Sequence, residues 1–255
     1  DEGGITLGSA TELGTSVRGN YIGVGADGTT PVGNRRGMWV VSGGATNIAI
    51  GGNNASDRNV IAHNTDEGVR LEFGTGVRMV GNSIFDNGGP GIALGSNPPN
   101  DAGDPDFGPN KLQNHPVITA TFVGPNLVIN AAIDSSAPNS AFPIQLDVYI
   151  ADSAVSGQGK THVGRTTFVG ATIEPLDLGV ATGIVPGQAL VATATDEDGN
   201  TSPFSPSVLV VDPSPPNKSI SDEAGLLRYG TAVAMYGTVT GAASCATRLS
   251  AAHSA

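Results

Sequence analysis

The densest set of side chains able to do chemistry lies mid-chain, in the run Asp101-x-x-Asp104-x-Asp106-x-Gly108-x-Asn110. Ca²⁺ takes about six to eight oxygen ligands, and near-alternate carboxylates on a turning backbone supply part of that shell, with backbone carbonyls for the rest. Asp101, Asp104, Asp106 and Asn110 are therefore the expected metal ligands, and Ca²⁺ the expected cofactor. The run is not an EF-hand: no Glu closes it, and Gly108 occupies a ligand slot. The same composition also makes a plain polar linker. A second acidic cluster, Asp196, Glu197, Asp198 and Asn200, falls on Asp-Gly and Gly-Asn dipeptides that read as hairpin-turn chemistry. A third set is His63, Asp66, Glu67, Arg70, Glu72 and Arg78. Cleavage of a glycan needs paired carboxylates, or a base beside a neutralised uronate. Arg70 and Glu72 would share one strand and one face, with Arg78 a side away. Mixed charges of this kind also form simple solvated ladders, and no residue here is singled out as catalytic. His115 and His162 lack Cys or Glu partners at metal spacing. Trp39 suits either packing or stacking on a sugar.

These residues must be positioned by short strands, because the first hundred residues repeat. Asn-x-Ile recurs at Asn20-Tyr21-Ile22, Asn59-Val60-Ile61 and Asn82-Ser83-Ile84, and Gly-apolar-x-apolar at Gly37, Gly68 and Gly91. Asn59 to Asn82 and Gly68 to Gly91 are both 23 residues, and nine residues separate Asn from Gly in each unit. A period in the low twenties with Gly/Asn corners is the signature of a β-solenoid. The spacing predicts inward ladders of Ile22, Ile61 and Ile84 and of Met38, Val40; Ile48, Ile50; Val69, Leu71, Phe73; Val77, Met79; Ile92, Leu94. It places Asn20, Asn59 and Asn82 at a corner, where each amide can bond the neighbouring coil. The first unit is eight residues longer, and its insertion at 23–34 is expected as an outward loop.

Residues 98–116 (PPNDAGDPDFGPNKLQNHP) are too rich in Pro, Asn and Asp for a helix or central strand and read as a linker. Strands are expected over 117–123, 126–133, 144–151, 161–169, 176–185, 189–195 and 207–211, separated by turn signals, as in an immunoglobulin-like sandwich without the Cys-Trp-Cys signature. A second Pro-rich linker opens 213–255, an Ala/Gly/Ser-rich tail in which 227–239 alternates like a strand.

Net charge is -11, with twelve acids and three bases over 98–212. With no basic stripe, a nucleic-acid partner is not expected. No apolar run approaches the ~18 residues of a membrane span. Cys245 stands alone, so no intrachain disulfide forms. Residue 1 reads as a start inside a repeat array, as in a processed protein or a fragment, and no signal peptide is recognised.

The texts VRGNYIGVGADGTTPVGNRRG, RNVIAHNTDEGVRL and GNSIFDNGGPGIALG resemble bacterial surface proteins with right-handed parallel β-helix repeats. NDAGDPDFGPNKLQNHPVIT resembles the segment that closes the helix in those proteins, and VATATDEDGNTSPFS the last strands of the immunoglobulin-like domain that follows. The resemblance spans 14–211 and implies a secreted or cell-surface protein, with no reaction attached. The expected chain is all-β: a short right-handed parallel β-helix (1–97), a linker (98–116), an immunoglobulin-like β-sandwich (117–212) and a C-terminal tail (213–255). Its expected role is structural or adhesive, outside the cell, with surface glycans or further copies of itself (through 227–239, as a filament) as partners. The alternative is a polysaccharide-active enzyme (lyase, hydrolase or epimerase) or a glycan-binding module.

Overall fold

Apolar residues at alternate positions, broken every few residues by Gly, Asn or Asp, favour short strands joined by sharp corners. A computed structural model describes residues 3–8, 14–169, 175–180 and 183–213. The first strands are β1 (Gly3–Leu7), β2 (Ser16–Val17), β3 (Tyr21–Ile22), β4 (Arg36–Val40), β5 (Thr46–Gly51) and β6 (Val60–Ala62), then β7 (Val69–Leu71), β8 (Thr75–Val80), β9 (Ser83–Phe85) and β10 (Ile92–Leu94). They form three parallel sheets, β1-β4-β7-β10, β2-β5-β8 and β3-β6-β9. The chain visits the three sheets in rotation, so each coil lies on the one before it.

The core is a stack of like on like. Ile22, Ile61 and Ile84 are register partners and are buried. Met38–Val69–Ile92 and Val40–Leu71–Leu94 form parallel ladders beside them. Phe73 departs from the expected inward set and is 53% exposed, because β7 ends at Leu71 and the chain turns at Gly74. The repeated glycine has a steric cause: a Cβ at Gly37 would lie 2.5 Å from the Gly68 carbonyl oxygen, and one at Gly68 would lie 2.7 Å from that of Gly91.

The corner asparagines do what their type allows. Asn59 Oδ1 accepts from the Asn20 backbone N–H (2.9 Å) and Nδ2 (3.0 Å), while Asn59 Nδ2 donates to Val17 O (2.8 Å). Asn82 repeats the pattern one coil on, accepting from Asn59 and donating to Ile50 O. A second ladder, Asn34–Asn64–Asn87, runs along another corner with the same geometry. The insertion at 23–34 folds back through a Val24–Pro31 bridge, with Asp27 accepting from the Thr29 and Thr30 N–H groups.

The later strands are β11 (Val117–Val123), β12 (Asn126–Ala132), β13 (Ile144–Ala151), β14 (Gly159–Phe168), β15 (Leu176–Val180), β16 (Ala189–Thr195) and β17 (Val208–Leu209). They pair antiparallel in two sheets, β11-β12-β15 and β14-β13-β16-β17. Ile118, Leu127 and Ile129 of one sheet pack on Leu146, Val148 and Leu190 of the other, which makes a sandwich. The chain is thus all-β, with parallel coils followed by antiparallel sheets.

The described residues through Asp212 form one compact unit. Within it, side chains cover the last coil. The β8 N–H groups of Gly76, Val77, Met79 and the following Gly81 donate to Asn200 Oδ1, Asn110 Oδ1, Thr201 Oγ1 and Tyr149 Oη, at 2.8, 2.9, 2.9 and 3.0 Å. Gln158 Oε1 accepts from Asn87 N–H and Nδ2, taking the place of the next corner asparagine. The segment 227–239 and Cys245 lie outside the described residues.

Ile61→Asp should abolish the cooperative thermal transition of the coil, since it places an unpaired charge in a layer one side chain thick. Asn59→Ala should cost about 3 kcal/mol, because two N–H donors lose their acceptor. A denaturant titration in which Asn59→Ala matches the wild type would show that the ladder carries no stability.

Candidate functional site

The outer face of sheet β1-β4-β7-β10 gathers most of the third candidate set. Trp39 and Arg70 are register partners on its outer row. Arg36 opens β4 and Glu67 lies in the turn before β7, so Arg36 meets Glu67 across coils. Glu67 Oε2 accepts from Arg36 Nε at 2.8 Å and Glu67 Oε1 from Arg70 Nη1 at 3.0 Å. Arg70 Nε also donates to Glu72 Oε2 at 2.8 Å, and Asp66 lies 3.8 Å from both Arg35 and Arg36. The Arg36 guanidinium covers the Trp39 ring at 5.0 Å. His63 packs edge-on against Phe85, and Arg78 stands on another sheet.

This arrangement restrains Glu67 as an acid. Burial works to raise its pKa, but its own backbone N–H, Arg36 and Arg70 outweigh burial and hold the carboxyl below the ordinary range. Both of its oxygens are occupied. A general acid for glycan cleavage needs a proton near neutral pH; Glu67 as placed is an ionised brace. Trp39 presents a face already covered by arginine, with its indole Nε1 buried and unbonded.

Of the expected metal ligands, Asp101, Asp104 and Asp106 lie near one another, and Asn110 does not join them. Asp104 is buried, and its carboxylate takes four donors: Gln113 Nε2 (2.7 Å), Ser140 Oγ (2.7 Å), Ser135 Oγ (2.8 Å) and the Asn114 N–H (3.0 Å). Burial pushes its pKa up against the pull of Ser140, Ser135 and Asn114. Asp101 lies near Asp106, and its pKa is raised, by desolvation first and then by that neighbour. Asn110 faces the other way: it is buried against β8, bonded to both main-chain groups of Val77 and to Thr201 O. Among the described residues no group of three or more His, Cys, Asp or Glu is placed to hold a metal ion. The second acidic cluster is a turn, in which Asp196 accepts from Asn200 N–H and Nδ2 while Asp198 pairs with Lys111. His115 approaches Pro116 O, and His162 meets Asp147 at 2.7 Å.

Sequence reasoning missed Asn64, Asn87 and Gln158. Asn64 and Asn87 carried a signal, the same 23-residue interval as Asn59 and Asn82. Gln158 carried none, because its role exists only across the joint.

A scan against protein-family models and a search of curated proteins return no match. Among solved structures, the adhesin domain of Epf from Streptococcus pyogenes aligns with a TM-score of 0.29 and 9% identity, over 40% of this chain. The chain spans 33% of that protein's length, and similarity at this level bears on neither fold nor role. Among the described residues no helix is long and apolar enough to cross a membrane.

Because the Glu67 pKa is depressed in the folded chain, its stabilising contribution is complete above the unfolded carboxylate value and is lost as pH falls through the lower folded value. Glu67→Gln should melt lower than the wild type at pH 7, with the gap closing on acidification below about pH 4; a gap independent of pH would remove the ionic brace. Asp104→Ala should cost about 3 kcal/mol, by leaving buried donors unpaired. If chelator lowers the wild-type melting temperature but not that of Asp104→Ala, a cation rather than these four donors holds the segment.

Proposed function

We propose that the chain is an extracellular structural or adhesive part of a surface protein, built as a right-handed parallel β-helix and an immunoglobulin-like sandwich. One observation carries the reading: the amide ladder of the coil, Asn34–Asn64–Asn87, continues into Gln158 of the sandwich by the same pair of bonds. Together with the Asn110, Thr201, Asn200 and Tyr149 contacts on β8, it ties the two sheet systems into one body. A protein that holds one surface to another needs such a joint, because load applied at one end must cross it. The occupied state of Glu67, Arg36 and Arg70 also supports a non-catalytic role for the charged face.

Beads coated with the purified chain should adhere to glycan-bearing surfaces, and a pulled single molecule should yield coil and sandwich in one event. Gln158→Ala should split that event into two. Release of reducing ends or unsaturated uronides from polysaccharides, abolished by Arg70→Ala, would overturn the reading in favour of an enzyme. Self-assembly through 227–239 belongs to the same proposal and rests on the alternation of that segment. Deletion of 220–255 should then abolish any concentration-dependent sedimentation of the full chain; identical sedimentation of both would exclude it.

A further inference from the structure

Arg78 stands on the outer face of sheet β2-β5-β8, since its strand neighbours Val77 and Met79 point into the coil core. Its register partners toward the first coil are Ala49 and then Ser16, two small side chains. The row is therefore one long cation beside a shallow floor. Two open clefts meet at this residue. One, about 260 Å³, is lined by Arg18, Ala49, Gly52, Asn53, Asp57 and Arg78. The other, about 170 Å³, is lined by Arg78, Gln145, Thr167, Thr195 and Glu197 among others.

The arginines here are underused. Arg78 Nη2 reaches only the main-chain oxygens of Asp196 and Glu197, each at 3.5 Å, the outer limit of a hydrogen bond. It forms no ion pair among the described residues, unlike Arg36 and Arg70. Arg18 is half exposed and meets Asp57 at 3.9 Å. A guanidinium in a half-buried cleft binds a carboxylate through two parallel bonds, with geometry a main-chain carbonyl does not offer. The surrounding groups narrow the ligand further. A bare anion would be repelled by Asp57 and Glu197, whereas sugar hydroxyls donate hydrogen bonds to those carboxylates. Each cleft is smaller than the ~300 Å³ at which enclosing ligand pockets begin, which suits one residue of a chain that runs on into solvent.

We propose that this trough binds an acidic sugar residue within a glycan chain. Its carboxylate lies on Arg78, Arg18 adds positive charge at the far end, and its hydroxyls meet Asp57, Glu197 and the Asn53 amide. The proposal rests on the adhesive reading only for the source of the glycan.

Calorimetry on the full chain with an oligogalacturonate, a sulfated oligosaccharide and a neutral oligosaccharide of equal length tests it. The carboxylated ligand should bind at least tenfold more tightly than the neutral one, and more weakly as salt rises. Arg78→Ala and Ala49→Phe should each weaken it at least tenfold while keeping the wild-type melting temperature; Arg78→Lys should recover part. Equal binding of neutral and carboxylated ligands, tighter binding of the sulfated one, no binding of any, or unchanged affinity in both Arg78→Ala and Ala49→Phe would overturn the site. Unchanged oligogalacturonate affinity in Arg78→Ala with intact surface adhesion would discard the site and leave the adhesive role standing. Oligogalacturonate binding without surface adhesion would do the reverse.

Discussion

A coil of parallel strands leaves a row of N–H and C=O groups at each end, and buried main-chain polar groups must find partners. Most of this structure answers that requirement. Between coils, neighbouring strands satisfy the straight segments, while corner asparagines satisfy the bends where the strands separate. An asparagine is suited to this place because it offers both an acceptor and donors on a short stem. Beside β8 no further strand follows, and the connecting segment and the sandwich supply amides and hydroxyls instead. Asn110 and Thr201 sit where a further β-strand would pair with β8.

Much of the coil was legible because it repeats. Identical intervals between Asn59 and Asn82, and between Gly68 and Gly91, fixed the register, and stacking of like residues then made Ile61 and Ile84 neighbours. The Asn34–Asn64–Asn87 ladder was less legible, because its first step is 30 residues and only the second is 23. Phe73 was misplaced because alternation was extended past the end of a three-residue strand. The Gln158, Tyr149 and Thr201 contacts join residues more than sixty positions apart and leave no periodic trace.

The acidic run at 101–110 shows a different limit. A carboxylate that receives a cation and one that receives four hydrogen-bond donors require the same residue at the same kind of turn. Spacing alone does not separate them, and the donors Gln113, Ser135 and Ser140 come beside Asp104 only in the fold. The charged face of the coil is similar. Arg36 joins the local Glu67–Arg70 pair only because successive coils bring positions about thirty residues apart side by side. Charge thus has two fates here: locked across coils on one face, and loosely held at Arg78 on another.

The way Gln158 stands in for an asparagine has a consequence for length. Its side chain meets Asn87 through the bonds by which Asn87 itself meets Asn64. At this corner the sandwich caps a generic coil end, while contacts such as Arg58–His162 and Lys160–Phe85 are particular to this one. Twenty-three more residues of the same pattern could enter before the joint and meet the same cap. Each such unit would carry the sandwich about 4.8 Å farther along the axis, the distance between adjacent strands. The fold behaves as a ruler with an end-stop, and reach can be set by duplication while the amide at the corner stays the same.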